Sequence, residues 1–458
     1  MLFPLVSALL LPHVQAAQVP FRTLSHTEGY KFDPLLHLPG ISPYFDAIGS
    51  GLSHEAPVDC KVTAASYLIR HAAIYANDDD YEKYIEPFLK KLDQAGGKGF
   101  HGSFSFLKKW KTPIDDPKKQ LEEITPQGIK DAKKVGKHLL SRYPRLVPTV
   151  KHIYADKKSR TQDTAEALAG AFPQSVEVKV ISSEASFHAQ IPHKYCDAFT
   201  KEPGNKELAQ FIDHYTLPII RRISELFPFT LEPYDIIGMQ QLCGYESAIN
   251  GKISKFCPAF TDDEWMSYEY AWDLKYSFMV GHGNPLSPYL GFPWLNVTSA
   301  LFSKFHEPSH HEDSITSDIP NDDGQRFFLS TTHREVVPFI ATALGLFNSS
   351  SSAAEEFPLD GINWSRSWRM AELIPFLGHI GIEKVTCRRP GLHQATMKKG
   401  EVIEEYVRII ANSAPRPIPA CQSGPGASCP VHEFTDLVDA GMREYGDFHG
   451  VCDIKKEL

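Results

Sequence analysis

The sequence predicts an α/β fold: a three-layer α/β/α large domain with a mixed, mainly parallel sheet, plus an inserted, mostly helical smaller domain. Three observations carry that reading. Short apolar runs that end in polar residues alternate with amphipathic segments, the pattern of strands joined by crossover helices. A long middle stretch is rich in aromatic residues and poor in strand signals. The chain has 458 residues, 42% of them hydrophobic, enough for a large core and unlike a disordered chain.

The first element is Val62 to Ile69, a buried strand that stops at Arg70-His71. Thr125 as N-cap and Pro126 at the first helical position open a helix from Ile129 to Leu140. Its apolar positions Ile129, Ala132, Val135, Gly136 and Leu139 form one face. His152 to Ala155 is a short strand, Lys157 to Arg160 a polar loop, and Asp163 to Phe172 a helix. Phe327 to Ser330 is a further strand that leads to Thr332-His333, followed by a helix from Val336 to Phe347 closed by Asn348. Glu404 to Ala411 is a late strand, and Ser349 to Ser352 a surface loop. The aromatic run Trp265, Tyr268, Tyr270, Trp272, Tyr276 and Phe278 reads as core of the helical part.

Residues 1–17 read as a secretory signal peptide: an apolar stretch too short to span a membrane, then Val14-Gln15-Ala16-Ala17. The large domain is expected over 18–183 and 302–458 and the insertion over 184–301, with 75–125 a second contributor to the helical cap. Eight cysteines fit an oxidising compartment and four disulfides, and spacing favours Cys243 with Cys257 and Cys421 with Cys429. Sequons at Asn296, Asn348 and Asn363 agree with a secreted, extracellular glycoprotein. The final Lys455-Lys-Glu-Leu458 lacks the Asp of a retention tail and reads as an ordinary tail.

The net charge of -9 argues against nucleic-acid and membrane-surface partners, which select basic faces. The distribution is uneven. From Glu82 to Lys158 there are 16 Lys and 2 Arg against 9 Asp and Glu, a net +9. Such a run is either a set of solvated helix faces or a positive rim that collects an anion.

Arg70-His71, Arg160 and His333-Arg334-Glu335 each lie just past a predicted strand, the edge where open α/β sheets bind ligands. Arginine forks bind phosphate oxygens, a neutral imidazole can attack phosphorus, and a carboxylic acid can protonate a departing alkoxide. The set suits phosphoryl transfer to water from a small phosphorylated substrate, with no metal and no cofactor. His306-Glu307-Pro308-Ser309-His310 matches a zinc-protease pattern, but Pro308 breaks the helix that pattern needs, so it reads as a polar loop. No Gly-x-Ser-x-Gly elbow or glycine-rich phosphate loop is present, which excludes serine-hydrolase and nucleotide-binding readings.

At these residues the chain resembles the histidine acid phosphatases, branch 2 of the histidine phosphatase superfamily, and within it the secreted phytases. Tyr67-Leu-Ile-Arg70-His71 resembles the nucleophile strand, and Ser159-Arg160-Thr-Gln-Asp-Thr-Ala-Glu166 the second arginine helix. Gly281-His-Gly-Asn284-Pro-Leu286 is similar to a phytase loop. Thr332-His333-Arg-Glu335-Val-Val-Pro338 is similar to the proton-donor segment, and Val407 to Asn412 with Cys421 and Cys429 to the C-terminal strand and disulfide loop. The resemblance implies His71 as a nucleophile that forms phosphohistidine and Glu335 as proton donor. It implies Arg70, Arg160 and His333 as phosphate ligands, and disulfides Cys60–Cys387 and Cys196–Cys452. It also implies that the segment after the nucleophile borders the substrate cleft.

The first motif departs from Arg-His-Gly-x-Arg-x-Pro: Ala72, Ile74 and Ala76 replace the glycine, second arginine and proline. A lost guanidinium removes charge-assisted bonds worth about 1.5–3 kcal/mol each. Arg334, or a lysine of the basic run, is the candidate replacement. Two readings follow: an acid phosphatase or phytase-like phosphomonoester hydrolase acting on phytate or another organic phosphate, or a reused fold that binds or transforms a less charged molecule.

Overall fold

In a computed structural model the protein is described over residues 32–181, 188–304, 324–390 and 401–453. The expected signal segment, the His306–His310 pattern and the Lys455–Leu458 tail lie outside these residues. Strand β1 (Cys60–Arg70) is buried from Ala64 onward, as expected of a strand covered on both faces. Residues 73–76 then pair with 122–125, with Ile74 bridging Ile124. Between them run a short turn of helix (Asp78–Asp80), a π-helical turn (Tyr81–Ile85) and helix α1 (Glu86–Ala95).

Helix α2 (Pro126–Arg142) starts where its signals place it. The Thr125 hydroxyl accepts the Gly128 N–H at 2.9 Å, and the helix buries Ala132, Val135, Gly136 and Leu139. Gly128 is required there, because a Cβ would lie 2.5 Å from the Ala73 carbonyl oxygen. Strand β2 (His152–Ala155) leads into α3 (Ser159–Ala169), which begins earlier than the expected Asp163. The Asp156 carboxylate closes the connection by accepting the Lys158 N–H at 2.8 Å and the Thr161 hydroxyl. Arg160 therefore sits in the first helical turn and not in a loop.

After β3 (Glu177–Val180) come four helices: α4 (Asn205–Ile223), α5 (Pro233–Asn250), α6 (Asp262–Val280) and α7 (Ser287–Ser303). Among the described residues no strand lies between β3 and β4 (Phe327–Thr332). Trp265, Tyr268, Tyr270, Trp272 and Tyr276 of α6 are buried, so the aromatic run is packing. Helix α8 (Val336–Ala343) is shorter than the expected Val336 to Phe347, because the chain turns left-handed at Gly345 (φ 68°) and Phe347 (φ 55°). β5 (His379–Pro390), β6 (Glu401–Ala411), β7 (Ala414–Arg416), β8 (Cys429–Pro430) and α9 (Val431–Tyr445) complete the chain.

The sheet order is β3-β2-β4-β1-β5-β6-β7, with β8 on β6. β3, β2, β4 and β1 run parallel, while β5 to β8 add an antiparallel extension. α2 and α3 share a core with Tyr67 and Ile69 of β1, Ile153 of β2 and Leu329 of β4. α8 packs against β1 and β5, and α7 against α8 and α9. The α7–α8 contact depends on Gly291, where a Cβ would meet the Phe339 carbonyl oxygen at 2.2 Å.

Four disulfides, Cys60–Cys387, Cys196–Cys452, Cys243–Cys257 and Cys421–Cys429, use all eight cysteines. They are the two local pairs favoured by spacing and the two long-range pairs implied by the resemblance. No helix among the described residues is long and apolar enough to cross a membrane.

Candidate active site

Parallel pairing brings the carboxyl ends of three strands to one edge. Arg70 at the end of β1 lies opposite Thr332 at the end of β4, and the His71 N–H donates to the Thr332 carbonyl at 2.9 Å. β2 ends at Ala155, so Asp156 falls on the same edge. His71, His333, Arg70, Arg334 and Glu335 are all at least nine-tenths buried.

The His71 ring nitrogen Nδ1 lies 2.9 Å from the Ala72 carbonyl oxygen. A carbonyl only accepts, so Nδ1 carries the proton and Nε2 keeps its lone pair. Burial, then the Arg70 and Arg160 charges, hold the imidazole well below its usual range. The loop behind it is pinned by the Ala72 N–H, which donates to Thr164 Oγ1 at 2.9 Å.

Arg70 donates to the Ile374 carbonyl at 2.7 Å and lies over the Phe376 ring, 4.5 Å from its centroid. Burial and the neighbouring Arg334 charge pull its guanidinium down to about 10. Arg160 pairs with Glu122 at 2.6 Å. Among the described residues the Nε donors of both Arg70 and Arg160 are buried without a partner. A buried unpaired donor is costly, so two of them beside a free imidazole mark where acceptor oxygens fit.

His333 Nε2 donates to Asp156 at 2.5 Å. Arg334 turns toward the same region, 3.7 Å from Asp80 and 3.5 Å from Glu335. Burial works against its charge, but Tyr276, Asp80 and Glu335 outweigh this and raise it. For Glu335, burial raises the carboxyl, but Arg334, His193 and Lys201 outweigh it and hold it well below the usual range. These charges therefore favour the ionised acid.

All six sequence-predicted groups, Arg70, His71, Arg160, His333, Arg334 and Glu335, thus belong to one cluster. Ile74 is fully buried, and its backbone forms an isolated antiparallel bridge to Ile124. The Gly281–Leu286 loop is a structural turn: Asn284 donates to the Met279 carbonyl at 2.6 Å and His282 packs on Trp368. Two further residues escaped the sequence reading. Asp156 was findable by the same rule, since it directly follows β2. His193, in the turn Pro192–Lys194, has its ring 5.9 Å from that of His333 and carried no signal.

Beside the cluster opens a cleft of about 430 Å³, lined by Asp79, Asp80, Glu82, Lys83, Lys201, Glu202, Trp272, Lys275, Tyr276 and Arg334 among others. Of the basic run's 16 lysines only Lys83 reaches it. The run is mostly solvated surface and does not form a rim to this cleft. Four acids face four bases there, and the bases are engaged: Lys201 pairs with Asp79 at 2.8 Å, and Lys275 donates to the Pro203 carbonyl at 2.8 Å. Among the described residues the one group of metal-type donors is Cys421, Cys429 and Glu433, and its two cysteines form a disulfide.

Residues 61–412 match the model of the histidine phosphatase superfamily (branch 2). The chain belongs to this family. It is similar to acid phosphatase PHO1 of Komagataella pastoris, 26% identical over 446 residues that cover 93% of this chain and 88% of the relative. Phytase A of Aspergillus oryzae is 25% identical over 439 residues, 89% of each chain. The crystal structure of the phytase from D. castellii superposes with a TM-score of 0.77 at 21% identity and covers 96% of this chain and 92% of its own.

Proposed function

We propose that this histidine phosphatase is a secreted acid phosphatase that hydrolyses small phosphate monoesters through a phosphohistidine on His71. One observation carries the reading: a buried, neutral imidazole with Nε2 unprotonated, beside guanidinium donors that lack acceptors. Arg70, Arg160, His333 and Arg334 bind the phosphoryl oxygens. His71 Nε2 attacks phosphorus and the P–O bond to the leaving group breaks. Protonated Glu335 gives its proton to that oxygen, and the alcohol departs. Water then attacks the phosphohistidine, Glu335 takes the water proton, the P–N bond breaks and phosphate leaves. Every bond and proton is then restored.

The depressed Glu335 carboxyl fits this cycle. An arriving phosphate neutralises Arg334, the first of the charges that hold the acid down, and low pH supplies the proton. His71 stays neutral in the same acidic range because burial and two arginines depress it. Arg334 stands in for the guanidinium missing at Ile74, since its head approaches Glu335 at 3.5 Å.

The cleft's charge balance favours a singly phosphorylated ester over phytate, which would need an excess of cations. The helices of 184–301 and the segment 75–125 act as the cap. They supply Lys201, Trp272, Tyr276, Asp80 and Lys83 to the cleft. Four disulfides support secretion. Among the sequons, Asn348 is exposed, Asn363 donates its amide to the Glu356 carbonyl, and Asn296 is half-buried on α7, so Asn348 is the best-placed glycan acceptor.

The test is hydrolysis of an aryl phosphate between pH 3 and 7. Turnover with an acidic optimum is expected, together with its loss in His71→Ala and a trapped phosphoenzyme after acid quench. Turnover no higher than that of His71→Ala at every pH would favour a reused, non-hydrolytic fold.

A further inference from the structure

A carboxylate that takes no part in bond making holds Arg160. Glu122 stands between the helical turn Pro117–Gln120 and α2. Its Oε2 meets Arg160 Nη1 at 2.6 Å, while Oε1 accepts the Asn77 side-chain amide and, at 3.4 Å, the Asp78 N–H. Asn77 is buried, so the carboxylate is braced by the chain that follows the nucleophile. Main-chain bonds join the same segments: the Glu122 N–H donates to the Ala76 carbonyl at 2.9 Å, and the Tyr75 N–H to the Glu123 carbonyl at 3.1 Å. Ser159, next to Arg160, donates its hydroxyl to Glu123 at 3.1 Å. The backbone at Glu122 is a second, independent sign. Its φ is 67°, a left-handed conformation that glycine adopts freely and a residue with a Cβ adopts at a cost. Such strain persists where the surroundings over-determine it, and it gathers at binding and catalytic sites. A glycine would suit this turn, but it could not reach Arg160.

We propose that Glu122 is a positioning residue for Arg160: its carboxylate holds one end of the guanidinium so that the Nε edge stays turned to the phosphoryl oxygens. The proposal rests on the phosphatase reading of the site and adds a residue to it. The main chain of Arg160 is already docked on the nucleophile loop. Its carbonyl accepts the Thr164 hydroxyl at 2.6 Å, and Thr164 Oγ1 accepts the N–H of Ala72, the residue after His71, at 2.9 Å. The guanidinium, however, stands at the end of a long rotatable stem. It is a planar fork, so a bond at Nη1 fixes the plane as well as the end. The Nε donor is then left buried and, among the described residues, without a partner, ready for an acceptor oxygen. An arginine fixed in advance gives up no rotamer freedom when phosphate arrives.

Charge and position make opposite predictions here. If Glu122 acted on the substrate only through its charge, its removal would favour an anionic substrate and raise kcat/KM. If it positions Arg160, its removal lowers kcat/KM. Glu122→Gln keeps the shape and a carbonyl oxygen for Asn77 and Asp78 but turns an amide N–H toward Arg160. It should lower kcat/KM for an aryl phosphate about tenfold, the scale of one misplaced charge-assisted bond. Glu122→Asp keeps the carboxylate with a shorter reach and should fall between. In an Arg160→Ala background the effect should vanish or reverse, because Glu122 then has no guanidinium to hold and only repels the phosphate. A residue that merely stabilises the fold would lower turnover equally in both backgrounds.

Aryl phosphate kcat/KM is measured for wild type, Glu122→Gln, Glu122→Asp, Arg160→Ala and Arg160→Ala with Glu122→Gln, with unfolding temperatures as the folding control. A fall in Glu122→Gln, a smaller one in Glu122→Asp, and a double variant no slower than Arg160→Ala support the assignment. Unchanged or higher kcat/KM in folded Glu122→Gln overturns it, and so does a double variant slower than Arg160→Ala by the same factor. If Glu122→Gln does not fold, Glu122→Asp takes its place in both backgrounds, with the same two outcomes. If Arg160→Ala is too slow to read, the two Glu122 variants decide: a fall at unchanged unfolding temperature supports the proposal, and a fall that only follows lost stability overturns it. Wild-type turnover at the His71→Ala background would instead sink the phosphatase reading itself, and the wild-type arm tells the two failures apart.

Discussion

His333 donates its Nε2–H to Asp156 at 2.5 Å, and the two side chains are only 3% and 2% exposed. Burial raises the Asp156 carboxyl, but the His333 bond and charge, the Thr161 hydroxyl and the Lys158 N–H outweigh it and hold the group well below its usual range. The pair thus fixes the orientation of His333. Asp156→Asn should lower kcat by one to two decades, because a bond to a charged group is worth about 1.5–3 kcal/mol. Asp156→Ala should destabilise the fold by about 3–5 kcal/mol, the usual result of removing one buried partner. Because the folded value is depressed, this stabilisation is fully present above the unfolded value near pH 3.9 and fades only below it. Urea denaturation should therefore give the same Asp156→Ala deficit at pH 7 and pH 5. A deficit that disappears at pH 5 contradicts the account.

Arg334 and Ile74 make opposite predictions. Arg334→Ala should reduce kcat/KM by one to two decades if its fork makes one charge-assisted bond to the transferring phosphoryl group. Arg334→Lys keeps the charge without the fork and should fall between. Ile74→Arg should not restore anything. Ile74 is fully buried at a backbone bridge to Ile124, so a guanidinium there would have to be taken out of water. The expected outcome is a loss of several kcal/mol of stability. Higher turnover in a folded Ile74→Arg protein would show that the position opens onto the phosphate after all.

The strand-end groups were legible because parallel strands covered on both faces read as apolar runs with abrupt ends, as at Ile69-Arg70 and Thr332-His333. The β5 strand was invisible for the converse reason. Glu383, Lys384 and Arg388 interrupt it, and the buried Glu383 and Lys384 have partners in Arg142 and Glu405 at 3.0 and 3.1 Å. The first pairing joins segments 241 residues apart and the second joins neighbouring strands, and no local pattern announces either. Of the parallel strands β1, β2 and β4 were therefore readable and the short edge strand β3 was not, and the antiparallel extension was readable only at β6. Arg160 was assigned to a loop because the helix start depends on the Asp156 carboxylate, an Asx-type closure that propensity alone does not rank. His193 follows no strand and heads no motif. Its place depends entirely on the tertiary neighbours His333, Phe199 and Phe339.

Buried neutral imidazoles should set the acid limit of stability. His379 is fully buried, stacks on Tyr44 at 5.4 Å between centroids, and donates from Nδ1 to the Leu377 carbonyl at 3.0 Å. Burial, against that bond, depresses it to about 4. Below pH 6.5 the unfolded chain takes up a proton that the folded chain refuses, so stability falls as pH falls. From pH 6.5 to pH 5 the loss is about 2 kcal/mol for this one group. His379→Gln should lower stability at pH 7 yet flatten its dependence on pH between 7 and 5. An unchanged slope in denaturation curves would show that the ring is not neutral in the folded state. Phosphate should offset part of the acid loss in the wild type by binding the folded form alone.

Substrate choice follows from the cleft. Glu82 and Glu202 are exposed at its rim, and neither has a cationic partner among the ion pairs of the described residues, while Lys201 is paired with Asp79 and Lys275 is held by carbonyl oxygens. A hexakisphosphate would bring several dianionic groups against these carboxylates. An aryl monophosphate would bring one phosphate to the arginines and lay its ring near Trp272 and Tyr276. Wild-type kcat/KM should therefore be higher for the aryl ester than for phytate. Glu82→Lys with Glu202→Lys should raise the value for phytate by roughly tenfold, the scale of one or two screened charge pairs. The aryl ester should change little, because its leaving group is uncharged. Added salt should erase most of the gain, since exposed charges are screened beyond about 8–10 Å. Equal gains on both substrates, or gains that survive high salt, would mean that the rim acts by shape and not by charge.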